Sequence, residues 1–330
     1  VKVNPVRQRK LLVTQDDYAM PDLIEIQTDS YKWFLEEGIR ELLEEISPIT
    51  DFSGKKLELH FLEHSIGDAK YKSSLAKQKN LTFEAPLKVH VQLINKETGE
   101  IKEQDVFLGG VPLMTHQGTF IVNGIERVVV SQLVRSPGVF FSRNSAAPPY
   151  CNAKIIPNRG AWLEVETDKK GIITVKIDRK RKIPITSLLR VFGYTEDKDI
   201  LNLFKDDVKD EIQNYILLTL EKDTAKTVDE AYKSIYRKIR PGDLATPENA
   251  KSLIQSMFFD YRKYDMGPVA RYKLNRRFKL KTPNTRKNHT FQVDDLVLIL
   301  KHLIKLNNGD ATPDDIDHLS NRRIRPVGEL

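Results

Sequence analysis

The chain has 330 residues, of which 40% are hydrophobic and 30% are charged, and this length suffices for two domains that each have a hydrophobic core. Its formal charge of +7 is the small difference between 53 basic and 46 acidic residues, so binding a polyanion requires the cations to be concentrated locally. The single cysteine, Cys151, excludes an internal disulfide framework and a thiolate zinc site, and the lack of an apolar run of about 20 residues excludes a transmembrane helix. We therefore expect a soluble, cytoplasmic protein without membrane contact.

The first part of the chain predicts one helix followed by antiparallel strands. Apolar residues recur at helical spacing after Asp22, Gly38 divides this stretch, and Pro48 ends it. Apolar and polar residues then alternate over residues 57–61, 87–93 and 101–108, as in half-buried strands. The apolar helical positions are Tyr31, Phe34, Leu35, Ile39, Leu42, Leu43 and Ile46. This order predicts a helix packed on an antiparallel sheet.

A β-hairpin is predicted where Asn123 and Gly124 separate residues 120–122 from residues 128–130, because both turn residues tolerate positive φ. The tail of this hairpin is bent by proline and glycine and carries Arg135. From its residues alone, we expect this segment to be a rigid hairpin that presents the Arg135 side chain at a bend. We place the junction between the two domains near residues 124–135.

The second part of the chain predicts one more hairpin and then mostly helices. Its strands, residues 163–165 and 173–177, flank the turn at residues 168–171. Helices are predicted over residues 186–193, from the capping box at Thr227 to Arg237, from Thr246 to about Phe259, and over residues 296–304 before Asn307. The fold class is therefore α+β, with two mixed domains, the second richer in helix.

No self-contained active site is predicted. Gly109 and Gly110 lie among strands without the lysine of a phosphate-binding loop, and His60 and His64 lie on a strand without the glutamate of a zincin helix. The acidic segment 310–317 contains a proline where a calcium loop needs ligands, and Cys151 has no histidine nearby in sequence.

The residues alone favour nucleic-acid binding over catalysis as the more specific functional hypothesis. Cations cluster at residues 179–182, at residues 322–325 and over residues 262–287. The last segment contains ten lysines or arginines, one acidic residue and several interleaved aromatic residues. Cations that neutralise phosphates and rings that stack on bases are typical of single-stranded nucleic acid sites. The alternative is a surface that lysines merely keep soluble. Trp162 has two interpretations as well, a core residue of its hairpin, which the local sequence favours, or a platform for base stacking.

The chain resembles the bacterial RNA polymerase beta subunit near its amino terminus. The resemblance is carried by long co-linear motifs: IEIQTDSYKWFLEEGI at 24–39, LTFEAPLKVHVQL at 81–93, IKEQDVFLGGVPLMT at 101–115, NGIERVVVSQLVRSPGVFF at 123–141, IIPNRGAWLEVE at 155–166, IDRKRKIP at 177–184, IRPGDLATPENA at 239–250 and DDIDHLSNRRIRPVGEL at 314–330. It implies a flexible basic segment at 1–18, an incomplete protrusion domain at 19–124, a lobe at 125–324 and the return into the protrusion at 325–330.

In function, the resemblance implies a fragment that lines the downstream DNA cleft and contacts the non-template strand and the downstream duplex. The parent enzyme is a nucleotidyltransferase, but this fragment lacks the catalytic residues and should be inactive alone. No cofactor is expected here, since the magnesium and zinc of the parent enzyme lie in another subunit. The expected partners are DNA, the other polymerase subunits, sigma factor and transcription regulators.

The resemblance also implies roles for individual residues. By this resemblance, Trp162 looks like a residue that stacks on a base of the non-template strand. The residues that look like the wall of a pocket for an unpaired guanine are Arg135, Ile316, Asp317 and Arg322. We expect Arg135, Trp162, Asp317 and Arg322 to converge on one concave surface. Further single-strand contacts are implied for Asp178, Arg179 and Arg240, and the edge of a rifamycin pocket for Arg127, Val130 and Gln132. Ile101, Lys102 and Glu103 resemble a strand motif to which regulators such as a transcription-repair coupling factor add a strand; an ordinary solvated strand is the alternative.

Overall fold

The computed structural model describes residues 22–51, 54–144, 150–204 and 210–330. The chain forms two compact units: unit 1 extends to Gln132 and includes residues 325–330, and unit 2 comprises residues 133–324. The first division follows Gln132, whereas a division after Gly124 would separate the two strands of the β-hairpin centred there. The flexible segment expected at residues 1–18 lies outside the described residues.

Unit 1 begins with a helix that is interrupted as the glycine at position 38 predicts. Helix α1 (Glu25–Trp33) runs into a π-helical turn (Phe34–Gly38) and then into α2 (Ile39–Ile46). The Asp22 carboxylate accepts a hydrogen bond from the Ile24 N–H at 3.0 Å, just ahead of α1. A short helix, α3 (Ser73–Gln78), lies between the second and third strands.

The sheet of unit 1 has four antiparallel strands in the order β1–β2–β3–β4. They are β1 (Ile49–Thr50), β2 (Leu57–Ile66), β3 (Glu84–Asn95) and β4 (Ile101–Pro112). Ile39 and Leu43 of α2 are buried together with Val89 of β3, which confirms the predicted packing of a helix on an antiparallel sheet. Strand β4 is an edge strand, and its residues 101–108 are exposed.

The predicted hairpin is present, but its second strand is shorter and earlier than the sequence suggested. β5 (Phe120–Val122) pairs with β6 (Ile125–Arg127), and Asn123 and Gly124 adopt φ values of +52° and +79°. The prediction of a strand at residues 128–130 is wrong, because β5 begins opposite Arg127 and offers them no partner. These three valines are exposed instead.

Unit 2 contains a five-stranded antiparallel sheet in the order β12–β11–β10–β9–β8. Its strands are β8 (Gly138–Arg143), β9 (Cys151–Ile156), β10 (Leu163–Thr167), β11 (Ile173–Ile177) and β12 (Ile183–Pro184). Leu163 pairs with Ile177 and Thr167 with Ile173, which confirms the second predicted hairpin. A separate two-stranded sheet joins β7 (Gln132–Arg135) to β13 (Arg322–Arg325).

Seven helices of unit 2 lie in the described ranges. They are α4 (Ile185–Val191), α5 (Asp197–Asn202), α6 (Asp210–Lys222), α7 (Val228–Ile239), α8 (Pro247–Phe258), α9 (Gly267–Phe278) and α10 (Val293–Asn307). The predicted starts of α7 and α8 are confirmed: the Thr227 and Thr246 hydroxyls accept from the N–H groups of Glu230 and Asn249, each at 3.3 Å. One large core joins these helices to the sheet, so the α+β class is confirmed. None of the described helices is long and apolar enough to cross a bilayer.

Candidate nucleic-acid interface

Trp162 is held by a tight turn that follows strand β11. The Lys180 N–H donates to the Ile177 carbonyl at 2.9 Å, and the two central residues, Asp178 and Arg179, have φ values of +47° and +59°. The Asp178 N–H donates to the Trp162 carbonyl at 2.9 Å, while the Trp162 N–H donates to Asp178 Oδ1 at 2.8 Å. Both backbone polar groups of Trp162 are therefore fixed by one residue. Left-handed backbone at two non-glycine positions stores strain, a feature concentrated at functional sites.

The ring of Trp162 lies at the surface beside a cation. The Arg179 guanidinium carbon is 5.2 Å from the ring centroid, within cation–π range. Gly160, Trp162, Asp178 and Arg179 line a surface cavity of about 280 Å³. Trp162 is half-buried and lies outside the hydrophobic core, so the core role that its local sequence favours is wrong. Strand alternation could have shown this, because Leu163 and Val165 point into the core and Trp162 occupies the opposite parity.

A close backbone approach fixes the loop that precedes Trp162. Arg159 and Asp265 exchange backbone hydrogen bonds at 3.0 Å and 2.8 Å. Gly160 has φ +115°, and a Cβ atom there would lie only 2.7 Å from the Lys263 carbonyl oxygen. The guanidinium carbons of Arg159 and Arg286 lie 5.8 Å and 5.9 Å from the Tyr261 ring centroid. Sequence reasoning missed this pairing of Tyr261 with two arginines, because it joins residues far apart in the chain.

The cationic turn at residues 179–182 contacts the end of helix α7. Lys180 Nζ donates to the Ile239 carbonyl at 2.7 Å, and Lys238 Nζ donates to the Lys182 carbonyl at 2.8 Å. Burial lowers the pKa of Lys238. Arg240, which directly follows α7, is exposed beside this junction. The hydrogen bond from Lys180 thus links the turn that carries Asp178 and Arg179 to Ile239, the residue before Arg240.

Asp317 and Arg322 form a second group at the β7–β13 sheet. Arg322 Nη2 donates to Asp317 Oδ1 at 2.7 Å, and Asp317 is largely exposed. Arg135 is exposed on β7, the strand that pairs with β13, and Ile316 is half-buried. Arg322 is half-buried, whereas the Asp317 carboxylate is open to solvent, so Asp317 can exchange this contact for a ligand at a cost of about 0–1 kcal/mol.

The eight residues predicted to contact nucleic acid thus lie in two groups. The first contains Trp162, Asp178, Arg179 and Arg240, and the second contains Arg135, Ile316, Asp317 and Arg322. Among the described residues, no hydrogen bond or ring contact links one group to the other. Convergence of all four expected pocket residues on one surface therefore stays a prediction.

The predicted residues of unit 1 are all exposed. Arg127 is on β6, Val130 follows it, and Gln132 begins β7. The Gln27 side chain of α1 donates hydrogen bonds to the Val129 carbonyl and to the Ser131 hydroxyl, and thereby positions residues 127–132. Ile101, Lys102 and Glu103 are exposed on the edge strand β4.

The cation-rich segment 262–287 is not one continuous basic surface. Arg271 is 1% exposed and lies 2.7 Å from Asp295 of α10, while Arg277 donates to both oxygens of Asp314 at 2.9 Å and 2.5 Å. Burial raises the pKa of Asp295, and Arg271 opposes this rise. Tyr264 is buried, and its pKa is raised by that burial. Arg271, Asp295 and Tyr264 therefore belong to the interior of unit 2 and not to a basic surface.

Comparison with known proteins identifies the family. Residues 135–325 match the family model described as RNA polymerase Rpb2, domain 2. The chain is 48% identical over 318 residues to the DNA-directed RNA polymerase subunit beta of Syntrophomonas wolfei, which covers 96% of this chain and 28% of that protein. It is 49% identical over 316 residues to the protein of that name from Dehalococcoides mccartyi strain CBDB1, covering 94% of this chain and 25% of that protein.

The protein of that name from Chloroflexus aggregans is 45% identical over 359 residues, covering 98% of this chain and 29% of that protein. The chain thus spans between a quarter and a third of the length of these relatives. The domain match covers more than half of the chain, and the relatives extend the similarity to nearly all of it. The chain therefore belongs to the DNA-directed RNA polymerase beta subunit family, of which it carries the Rpb2 domain 2.

Proposed function

We propose that this chain is the part of an RNA polymerase beta subunit that lines the downstream DNA cleft and contacts the non-template strand during transcription. The observation that carries the proposal is the surface ring of Trp162, whose backbone is locked by Asp178 and whose ring adjoins Arg179. Single-stranded nucleic acid sites combine such aromatic platforms with cations that neutralise phosphates.

The surroundings of Trp162 supply the electrostatics that such a site needs. The adjoining turn carries Arg179, Lys180 and Arg181, and Arg240 directly follows Ile239, whose carbonyl accepts a hydrogen bond from Lys180. In the second group, the Asp317 carboxylate would accept hydrogen bonds from a guanine edge, and Arg322 and Arg135 would bind carbonyl or phosphate oxygens. The platform would hold an unpaired base while the cations hold the backbone.

The complete enzyme supplies the remaining parts of this function. We expect nucleotide polymerisation to require the rest of the beta subunit, the other polymerase subunits and sigma factor, with the catalytic magnesium and the structural zinc outside this chain. The isolated chain should then bind forked DNA without polymerising nucleotides.

A binding measurement tests the role of Trp162. Fluorescence anisotropy of labelled forked DNA should show affinity about 5- to 150-fold weaker for Trp162→Ala, because stacking on one base contributes about 1–3 kcal/mol. Tyr71→Ala is the control, since Tyr71 is an exposed aromatic residue of unit 1 that belongs to no predicted site. Affinity should also fall as salt rises. Unchanged binding by Trp162→Ala, or an equal loss in Tyr71→Ala, would refute the role.

We propose a second function for unit 1, the docking of a transcription regulator on strand β4. The Asn95 N–H donates to the Glu100 carbonyl at 2.9 Å, and Ile94 and Gln92 lie opposite Ile101 and Glu103. Because bonded and non-bonded pairs alternate in antiparallel sheets, the N–H and C=O groups of Ile101 and Glu103 face the open edge. An exposed edge of this kind is suited to accept an added strand.

Proline substitutions separate strand addition from side-chain contact. Glu103→Pro removes an N–H group that faces the open edge, so binding to a transcription-repair coupling factor should be lost while circular dichroism is unchanged. Gln104→Pro removes an N–H group directed at β3 and should unfold this edge instead. Ile101→Ala should weaken docking without loss of folding. Full docking by folded Glu103→Pro would exclude strand addition at this site.

A further inference from the structure

Unit 2 contains a larger cavity, of about 640 Å³, beside strand β8 and helix α9. Val139 and Phe140 of β8 and Leu274 of α9 contribute buried apolar walls, and Val269 and Tyr272 of α9 lie at the mouth, 48% and 61% exposed. The volume is within the range of about 300–1,000 Å³ typical of ligand sites. None of the eight residues of the two groups described above lines this cavity, although it includes part of the cation-rich segment 262–287.

A fixed ammonium group lies in the cavity wall. Lys273 Nζ donates to Ser136 Oγ at 2.9 Å and to Asn321 Oδ1 at 3.4 Å, and it lies 5.5 Å from the centroid of the Phe140 ring. Burial and the neighbouring Arg277 lower the pKa of Lys273, and the Asp314 carboxylate, which is paired with Arg277, opposes this in part. Lys273 forms no ion pair with an acidic residue in the described parts of the chain. A carboxylate placed beside such a partly buried cation would add a charge-assisted hydrogen bond.

The other cations of the cavity differ in what neutralises them. Arg277 is paired with Asp314 through two hydrogen bonds. Arg276, one position earlier on α9, is exposed and has no carboxylate partner among the described acids. Two positive charges, Lys273 and Arg276, thus border an apolar cavity whose lining contains no acidic residue.

We propose that this cavity binds an acidic protein segment that inserts an aromatic or aliphatic side chain between Val139, Phe140 and Leu274 and places a carboxylate on Lys273 and Arg276. The apolar walls favour a protein segment over nucleic acid, because filling them removes apolar surface from water. Nucleic-acid affinity depends instead on neutralising many phosphates, and only two cations are available here. Anchoring by one apolar residue with charged contacts at the rim is typical of protein interfaces.

The test uses the whole chain and a labelled peptide, Gly-Ser-Asp-Phe-Asp-Asp-Ser-Gly, in a fluorescence anisotropy titration. The wild-type chain should bind this peptide, and peptides with Asn in place of Asp, or with Ser in place of Phe, should bind at least about tenfold more weakly. Lys273→Gln should weaken binding of the original peptide by a similar factor. Lys281→Gln is the matched control, an exposed lysine outside the cavity, and should bind normally.

A second variant keeps the test decisive if Lys273→Gln does not fold. Val269→Glu places a negative charge at the exposed mouth and should also reduce peptide binding at least about tenfold. Equal affinity in the wild-type, Lys273→Gln and Val269→Glu proteins would overturn the proposal. Displacement of the peptide by an equal concentration of single-stranded oligothymidine would assign the cavity to nucleic acid and overturn it as well.

Discussion

Replacing Gly160 by alanine tests whether the loop before Trp162 is positioned by its contact with the segment at Lys263 and Tyr264. The added Cβ would lie 2.7 Å from the Lys263 carbonyl oxygen and 2.8 Å from Cδ2 of Tyr264. Tyr264 is fully buried and the carbonyl is part of the backbone, so neither atom can turn aside without moving the loop. The substitution should therefore displace Gly160 and, with it, Trp162.

The magnitude follows from two separate costs. Positive φ at a non-glycine residue costs about 1–3 kcal/mol, and forcing an extra methyl group into a packed site adds about 1–3 kcal/mol. Gly193→Ala is a matched control for the first cost alone, since Gly193 has φ +118°, close to the +115° of Gly160, and open space around its Cβ position. Gly160→Ala should therefore destabilise unit 2 by at least about 1 kcal/mol more than Gly193→Ala.

Urea unfolding followed by circular dichroism gives the free energies of unfolding, and both glycines belong to unit 2. Anisotropy with forked DNA gives the effect on the candidate interface, where Gly160→Ala should reduce affinity and Gly193→Ala should not. Equal destabilisation by the two substitutions would show that the contact with Lys263 and Tyr264 does not constrain the loop, and our account of how Trp162 is positioned would be wrong.

Three further substitutions test other parts of unit 2. Asp178→Ala should lower the free energy of unfolding of unit 2 by about 2 kcal/mol in urea, because the Trp162 N–H loses its acceptor and alanine disfavours left-handed backbone. Asp178→Asn keeps the acceptor oxygen and tolerates that backbone, so an equal loss of stability in the two variants would contradict this account. Burial and Arg277 lower the pKa of His302 in the folded chain, so the unfolded chain binds a proton at His302 more readily. The free energy of unfolding should therefore fall as pH drops below about 6.5. His302→Phe should flatten this pH dependence, and an unchanged slope would refute the role of His302. Asp295→Ala leaves the buried Arg271 without a counter-charge and should cost about 3–5 kcal/mol, whereas adding Arg271→Met should recover part of that loss in the same assay.

Elements with local signals were predictable from the sequence. The capping box at Thr227 fixed the start of α7, and alternation across the turn at residues 168–171 fixed the register of β10 with β11. The hairpin at Asn123 and Gly124 shows the limit of such signals. Valines at 128–130 favour strand, but a strand needs a partner, and the length of β5 is decided by the rest of unit 1.

The candidate interface depended more on distant contacts. Local sequence indicated that residues 179–182 are cationic. The hydrogen bond from Trp162 to Asp178, however, joins the residue before β10 to the residue after β11, and the approach of Gly160 to Lys263 spans about a hundred positions. Charge counting over residues 262–287 likewise could not reveal that Arg271 is buried against Asp295. Such pairings are set by tertiary packing, which composition does not encode.

The pairing of β7 with β13 makes unit 2 a cassette with both of its ends in one place. Neighbouring strands lie about 4.8 Å apart, and the Ser136 N–H donates to the Asn321 carbonyl at 2.9 Å where the chain enters and leaves. A short turn joining Gln132 to Arg325 would therefore bridge the gap left by removing 133–324. Because both ends of unit 2 meet at this sheet, residues can be inserted into or deleted from unit 2 without changing the distance that the chain on either side must span.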